Sequence, residues 1–198
     1  AVFIDAADGP LARLWDVKLY ASRILGGTID EIVDYLTFTF IPLVLVWRMD
    51  WLPGWDGLWV VLAMVASLLG FANTSAKQSR EGFFLGFPSY WNVVAYYVGL
   101  LAVEYGAVGA YVSLGSVLTL TVLTLVPVRF VYPNAAPTPW RAIVTVGGVA
   151  WLGLLLALLP TFPELPAWGG DWVLGVSFVY PAFYFGLSGW LDWTSRQS

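Results

Sequence analysis

Long apolar runs recur along the whole chain and constrain its fold more than any other feature. Of its 198 residues, 59% are hydrophobic and 11% are charged, and the mean hydropathy is +0.76. A helix that crosses the hydrocarbon core of a bilayer needs about 20 mostly apolar residues. Windows of that kind predict six full spans, over residues 29–47, 58–72, 91–111, 114–131, 142–159 and 172–191.

The fold class follows from these windows. Residues 1–7 predict the last turns of a further helix, and the first residue is Ala rather than Met, so we expect an N-terminal truncation. No polar block is long enough to build a core of its own. The sequence therefore predicts an all-α fold, a polytopic transmembrane helical bundle that forms a single domain over residues 1–198.

Basic residues mark one side of the predicted bundle. The connections 9–28, 73–90 and 132–141 and the tail 192–198 hold most of the Lys and Arg, whereas the opposite loops contribute only Arg48. By the positive-inside rule, the first set of connections faces the cytoplasm. Five tryptophans on the other side are typical of the headgroup layer: Trp47, Trp51, Trp55, Trp168 and Trp172.

The chain contains neither Cys nor His. Disulfides, zinc–thiolate sites and serine-type triads are therefore excluded, and so is the most common general base. Catalysis by this chain would have to use carboxylates, lysine, tyrosine or a bound metal ion.

Four aspartates near the N-terminus form the strongest chemical pattern in the chain: Asp5, Asp8, Asp30 and Asp34. The first two are three residues apart and the last two are four apart, so each pair lies on one face of its own helix. Both pairs lie near the cytoplasmic ends of helices that one connection joins, so we expect the four carboxylates to converge.

A metal ion would resolve the repulsion between these carboxylates. Oxygen ligands favour Mg²⁺ or Mn²⁺ over zinc, and four carboxylates can bridge a pair of ions about 4 Å apart. Gly9, Ala12 and Gly26 would let a bulky ligand approach the backbone, and Arg13 offers a fork for phosphate oxygens. The alternative is a solvated loop in which the carboxylates pair with Arg13, Lys18 and Arg23.

The order Asp5-x2-Asp8-Gly9-x2-Ala12-Arg13, then Gly26-x3-Asp30-x3-Asp34, resembles the signature of the CDP-alcohol phosphotransferase family. The insert between the arginine and the second glycine, residues 14–25, is longer than in the common pattern and is similar to the branch of bacterial phosphatidylcholine synthases. The segments 34–38, 87–97 and 128–133 also resemble that branch. Members have about eight spans of bilayer length, which implies that one helix and most of a second precede residue 1.

The resemblance implies a role for each residue of the pattern. Asp5, Asp8, Asp30 and Asp34 would bind Mn²⁺ or Mg²⁺, and Asp34 would also act as general base. The nucleotide and its phosphates would lie against Asp8, Gly9, Ala12, Arg13 and Gly26. The implied reaction transfers the phosphatidyl group from CDP-diacylglycerol to choline and releases CMP, at the cytoplasmic face of a bacterial inner membrane. Family members are often homodimers.

Recognition of choline should use aromatic faces, because its quaternary cation carries no hydrogen-bond donor on nitrogen. The candidates are Tyr35, Tyr90 and Trp91, with Asn92 as a polar contact. An interfacial aromatic belt would explain the same rings.

Two other functions stay open from the sequence. The acceptor could be serine, ethanolamine, inositol phosphate or glycerol phosphate, and a phosphorylated acceptor would need a basic pocket, for which four residues are candidates: Lys77, Arg80, Arg129 and Arg141. A cation channel or transporter would instead use the aspartates to line an ion path. That function predicts polar residues through several spans, whereas these spans are almost uniformly apolar.

Overall fold

Helices form most of the computed structural model, which describes residues 2–73, 77–78, 82–133 and 136–196. They are α1 (Val2–Leu14), α2 (Val17–Tyr20), α3 (Gly26–Asp34), α4 (Ile41–Arg48), α5 (Asp56–Ala72), α6 (Trp91–Leu125), α7 (Trp140–Leu158), α8 (Gly170–Ser177) and α9 (Val179–Ser195). In the described part of the chain, three helical stretches are long and apolar enough to cross a membrane: Trp91–Leu125, Trp140–Thr161 and Gly170–Ser195. The predicted class of an all-α membrane protein fits this architecture.

The first helix is longer than the sequence predicted. It runs to Leu14, and α2 follows after a two-residue break, so much of the expected connection 9–28 is helical. As a result, Asp5, Asp8 and Arg13 all lie on one helix, α1.

Helical backbone continues without a break from α3 through a π-helical segment, Tyr35–Phe40, into α4. Pro42 near the start of α4 gives a physical reason for the wider turn. In a regular α-helix its ring would clash with the carbonyl of the residue four positions earlier, Phe38, and it has no N–H to bond there. The π-turn lets the proline lie inside one continuous rod.

The 35 residues of α6 fold back on themselves. A straight helix of that length would measure about 52 Å, yet the amide of Phe87, before its start, donates to the carbonyl of Leu123, near its end, at 2.9 Å. The reversal lies at Gly106, with φ 52° and ψ −131°. A Cβ at Gly109 would clash with the carbonyl oxygen of Leu101, so the two arms meet closely beside the turn.

A small antiparallel sheet corrects the prediction for residues 129–131, which the sequence assigned to the end of a span. The strands are β1 (Lys77–Gln78), β2 (Phe83–Leu85) and β3 (Arg129–Val131), in the order β1-β2-β3. The outer edge of β3 bonds to side chains of α9: Ser188 Oγ accepts from the amide of Val131 at 3.2 Å, and Tyr184 donates to its carbonyl at 2.8 Å. These bonds satisfy an edge that would otherwise be open.

One tryptophan of the expected interfacial group is part of the interior. Trp51 is 5% exposed and packs edge-on against Phe162, with ring centroids 5.8 Å apart. The other four members, Trp47, Trp55, Trp168 and Trp172, are exposed. The expectation for Trp51 was wrong because helix packing covers it.

Candidate active site

Three of the four predicted aspartates come together in the structure. Asp5 lies on α1, and Asp30 and Asp34 lie one turn apart on α3. One carboxylate oxygen from each lies within 4.8 Å of the others. The sequence spacing thus places two carboxylates on one face of α3, and the position of α1 in the structure adds the third.

Asp8 is oriented differently. Its Oδ1 accepts a hydrogen bond from the amide of the next residue, Gly9, at 2.5 Å. It is outside the group of three, although it borders the same cavity as Asp5 and Asp30. Its role as a metal ligand stays a prediction.

The three carboxylates fit a hard divalent cation. Magnesium binds oxygen ligands at 2.0–2.1 Å, so two ligands on opposite sides of one ion lie about 4.2 Å apart. The observed limit of 4.8 Å is close to that value, and small side-chain rotations would close the difference. An all-oxygen donor set also favours Mg²⁺ or Mn²⁺ over softer metals.

A cavity of about 2630 Å³ opens beside the carboxylates. At its acidic end it is bordered by α1 and α3, and its remaining walls come mainly from α6, α7 and α9. The predicted nucleotide-site residues all border it: Asp8, Gly9, Ala12, Arg13 and Gly26. Asp34 belongs to the carboxylate group but does not itself border the cavity.

Gly9 has a steric role on α1. A Cβ built there would lie 3.4 Å from Nη1 of Arg13, so the guanidinium packs on the bare glycine one turn before it. A Cβ at Gly26 would meet no atom within 4 Å. The structure therefore gives a local reason for glycine at position 9 and none at position 26.

Two of the predicted choline-binding residues face α5 rather than the cavity. Tyr35 donates to the carbonyl of Met64 at 3.2 Å and meets the ring of Phe71 edge-on. Trp91 is fully buried, and its indole N–H donates to Ser67 Oγ at 2.6 Å. Both rings hold helices together, and neither borders the cavity.

The other two, Tyr90 and Asn92, do border the cavity. Desolvation of its phenol raises the pKa of Tyr90 far above the ordinary value, and Tyr132, Asp5, Tyr180 and Asp34 raise that pKa further. Tyr90 is therefore a neutral phenol at physiological pH, within electrostatic range of the carboxylates. Asn92 Oδ1 accepts from the amide of Val93 at 2.9 Å.

Sequence reasoning missed two tyrosines on α9 that border the same cavity, Tyr180 and Tyr184. They lie inside a predicted apolar span, where an aromatic ring alone carries little information. Their spacing of four residues was the available signal, because it places both rings on one face of a helix.

Curated relatives of the chain are named phosphatidylcholine synthase. One from Pseudomonas aeruginosa is 34% identical over 193 residues, which cover 96% of this chain and 76% of the relative. One from Mesorhizobium japonicum is 34% identical over 67% of this chain and 48% of the relative, and one from Legionella bozemanae is 35% identical over 67% and 59%. The chain thus spans about half the length of some relatives. No family model matches the chain, and no solved structure matches it significantly.

The names of these relatives match the branch that the residue pattern around the aspartates resembles, and α1 and α3 of this helical membrane protein bring three of those carboxylates together. The chain belongs to the phosphatidylcholine synthase family.

Proposed function

We propose that this protein synthesises phosphatidylcholine by transferring the phosphatidyl group of CDP-diacylglycerol to choline, with release of CMP. The observation that carries the proposal is the convergence of Asp5, Asp30 and Asp34 beside a large cavity, in a chain related to named phosphatidylcholine synthases.

The carboxylate group is the proposed metal site. Asp5, Asp30 and Asp34 would hold Mn²⁺ or Mg²⁺, with Asp8 as a further ligand that borders the same cavity. A pair of ions there would neutralise charge on the diphosphate and on the departing CMP, which is where negative charge grows during transfer.

In the proposed reaction, the choline hydroxyl attacks the phosphorus that carries diacylglycerol. The bond from that phosphorus to the oxygen of CMP breaks, and CMP leaves. Asp34 takes the hydroxyl proton as general base, which contributes typically 10²–10⁴-fold to such reactions. Gly9, Ala12 and Gly26 border the cavity beside the carboxylates, and we place the cytidine nucleotide against them, with Arg13 at its phosphates.

The charges around the cavity support an acceptor without a phosphate group. Among the described residues that border it, the basic side chains are Arg13 and Lys18, both on the α1–α2 side. Two of the basic residues proposed for a phosphorylated acceptor bond elsewhere: Arg129 donates to Ser195 Oγ at 3.1 Å, and Arg141 to the carbonyl of Ala136 at 3.4 Å. The side chains of Lys77 and Arg80 lie outside the described residues.

The proposed location is the bacterial inner membrane, with the active site at its cytoplasmic face. Six spans would be the continuous rod from α3 to α4, then α5, the two arms of α6, α7, and α8 with α9. The basic connections on the side of the carboxylates support this orientation. CDP-diacylglycerol would then arrive laterally from the leaflet, while choline and CMP exchange with water.

A panel of acceptors tests the proposal. The purified full-length protein is placed in liposomes that contain CDP-diacylglycerol and Mn²⁺, and choline, serine, ethanolamine, inositol phosphate and glycerol phosphate are offered one at a time. Mass spectrometry of the lipid product should identify phosphatidylcholine with choline and little product with the others. In a parallel reaction with choline, a chelator should stop the release of CMP. Another lipid product, or undiminished turnover in chelator, would contradict the assignment.

A further inference from the structure

Four tyrosines from three separate parts of the fold border the cavity: Tyr90 before α6, Tyr132 after β3, and Tyr180 and Tyr184 on α9. We call them the tyrosine cluster. All four are described, and the structure records no ring contact between any two of them. The four rings therefore do not pack on one another, and all four border the same cavity.

Neighbouring groups pack against three of the four rings. Tyr180 stacks on Trp151 at 5.2 Å and lies against the glycine pair of α7, where a Cβ at Gly147 would approach its ring to 3.0 Å. Tyr132 packs on Phe84 at 5.1 Å, and Tyr90 meets Phe38 edge-on at 6.4 Å. Rings held in this way lose little further freedom when a ligand binds.

The hydroxyls of the two tyrosines on α9 are already committed to the backbone. Tyr180 donates to the carbonyl of Val144 at 2.8 Å, and Tyr184 donates to the carbonyl of Val131 at 2.8 Å. Their donors are therefore used within the protein, and what they offer to a ligand is mainly ring carbon. A ligand that suits such a lining carries a charge but needs no hydrogen-bond donors or acceptors, as a quaternary ammonium does.

Aromatic faces, rather than carboxylate charge, would attract the cation here. The proposed metal ions balance the charge of the four aspartates that would hold them, and the remaining charged residues of the described lining are Asp16 and Glu31 against Arg13 and Lys18. The negative faces of aromatic rings bind a quaternary ammonium without needing a free carboxylate.

We propose that the tyrosine cluster is the pocket for the trimethylammonium group of choline and sets the preference for this acceptor. The inference rests on the proposed function and adds to it α9, which contributes Tyr180 and Tyr184, whereas Tyr35 and Trp91 take no part. Asp5 and Asp30 border the same cavity as the cluster, and we place the hydroxyl of the bound choline toward these carboxylates.

Substitutions of Tyr180 separate the ring from its hydroxyl. Tyr180→Leu removes the ring and should raise the KM for choline by about 2- to 30-fold, the range expected for one cation–π contact. In the same variant, the KM for CDP-diacylglycerol should stay within about twofold of the wild-type value. Tyr180→Phe keeps the ring and should raise the KM for choline by less than Tyr180→Leu does. Tyr132→Leu should behave like Tyr180→Leu.

Tyr96 provides a matched control. Its hydroxyl also donates to a carbonyl of α7, that of Leu155 at 2.9 Å, and its ring stacks on Phe162 at 4.8 Å. It does not border the cavity. Tyr96→Leu should therefore reproduce any general loss of helix packing without changing the KM for choline.

A comparison of substrates on the wild-type protein needs no variant. The alcohol 3,3-dimethylbutanol has the shape of choline without its charge, and its KM should exceed that of choline by about tenfold or more. Equal KM values for the two alcohols would overturn the inference, and so would Tyr180→Phe raising the KM as much as Tyr180→Leu. If Tyr180→Leu and Tyr132→Leu fold and keep the wild-type KM for choline, the assignment of the tyrosine cluster is overturned. The proposed synthesis of phosphatidylcholine would not be affected by that result. Absence of phosphatidylcholine with the wild-type protein would overturn both proposals.

Discussion

Replacing Asp30 by Asn should stabilise the metal-free protein, because it removes one of three carboxylates that lie within 4.8 Å of one another. Two unit charges at that distance repel by about 1 kcal/mol at the dielectric constant of water and about 3 kcal/mol at an effective value of 20. Asp30 has two such neighbours, and Asp5 is exposed, so the lower value applies. Asp30→Asn should then relieve about 2 kcal/mol of repulsion.

Metal should reverse this order. An ion at 100 times its Kd stabilises the folded state by about 2.7 kcal/mol, and the substitution removes a ligand. The assay is thermal unfolding in detergent, first with a chelator and then with millimolar Mn²⁺. In chelator, the wild-type protein should unfold at a lower temperature than Asp30→Asn. With Mn²⁺, it should unfold at a higher temperature than Asp30→Asn.

Glu31→Gln is the matched control. Glu31 is adjacent to Asp30 on α3, is exposed, borders the cavity and lies outside the group of three. Its substitution should leave the stabilisation by Mn²⁺ intact. If Asp30→Asn lowered the unfolding temperature in chelator, or if Mn²⁺ stabilised Asp30→Asn as much as the wild type, the reasoning from carboxylate geometry would be refuted.

Three further predictions concern single side chains. Asp34→Asn should lower kcat by about 10²–10⁴-fold, and a near-normal rate would assign proton removal to another group. Trp91→Phe leaves the Ser67 hydroxyl without its donor, so it should lower the free energy of unfolding by about 1–3 kcal/mol. The KM for choline should not change. A higher KM for choline at unchanged stability would instead assign Trp91 to the choline-binding site. Gly109→Ala should destabilise by about 1–3 kcal/mol or more, because its Cβ would meet the carbonyl of Leu101. Gly115→Ala, whose Cβ meets no atom within 4 Å, should be near neutral.

The aspartate pattern shows how far sequence reasoning reaches. The four-residue spacing of Asp30 and Asp34 fixes their shared face on α3 whatever the tertiary structure. On α1, a spacing of three also keeps Asp5 and Asp8 near one face, but it cannot fix how the helix is rotated toward α3. That rotation is set by the tertiary structure, in which Asp5 joins the group of three and Asp8 lies outside it.

Strand β3 escaped prediction for a different reason. Arg129–Val131 continues an apolar window, and hydropathy does not distinguish a short buried strand from the end of a helix. Its partners are distant in sequence: Phe130 pairs with Phe84, and the amide of Val131 bonds to Ser188 on α9. Local sequence carries no record of such contacts.

The aromatic residues show the same limit. Tyr35 and Trp91 have the chemistry for binding a cation, yet both bond to α5, through the Met64 carbonyl and Ser67 Oγ. Tyr180 looked like part of an ordinary apolar span, yet it borders the cavity. Ring type identifies candidates for a cation site, and only the packing of helices decides which of them line it.

The position of bound manganese tests the central claim most directly. Crystals of the protein grown with Mn²⁺ should give an anomalous peak between α1 and α3, about 2.0–2.4 Å from carboxylate oxygens of Asp5, Asp30 and Asp34. Asp30→Asn crystals should lose that peak or lower its height. A peak at other acidic residues, or none between these two helices while the protein still makes phosphatidylcholine, would contradict the proposed metal site.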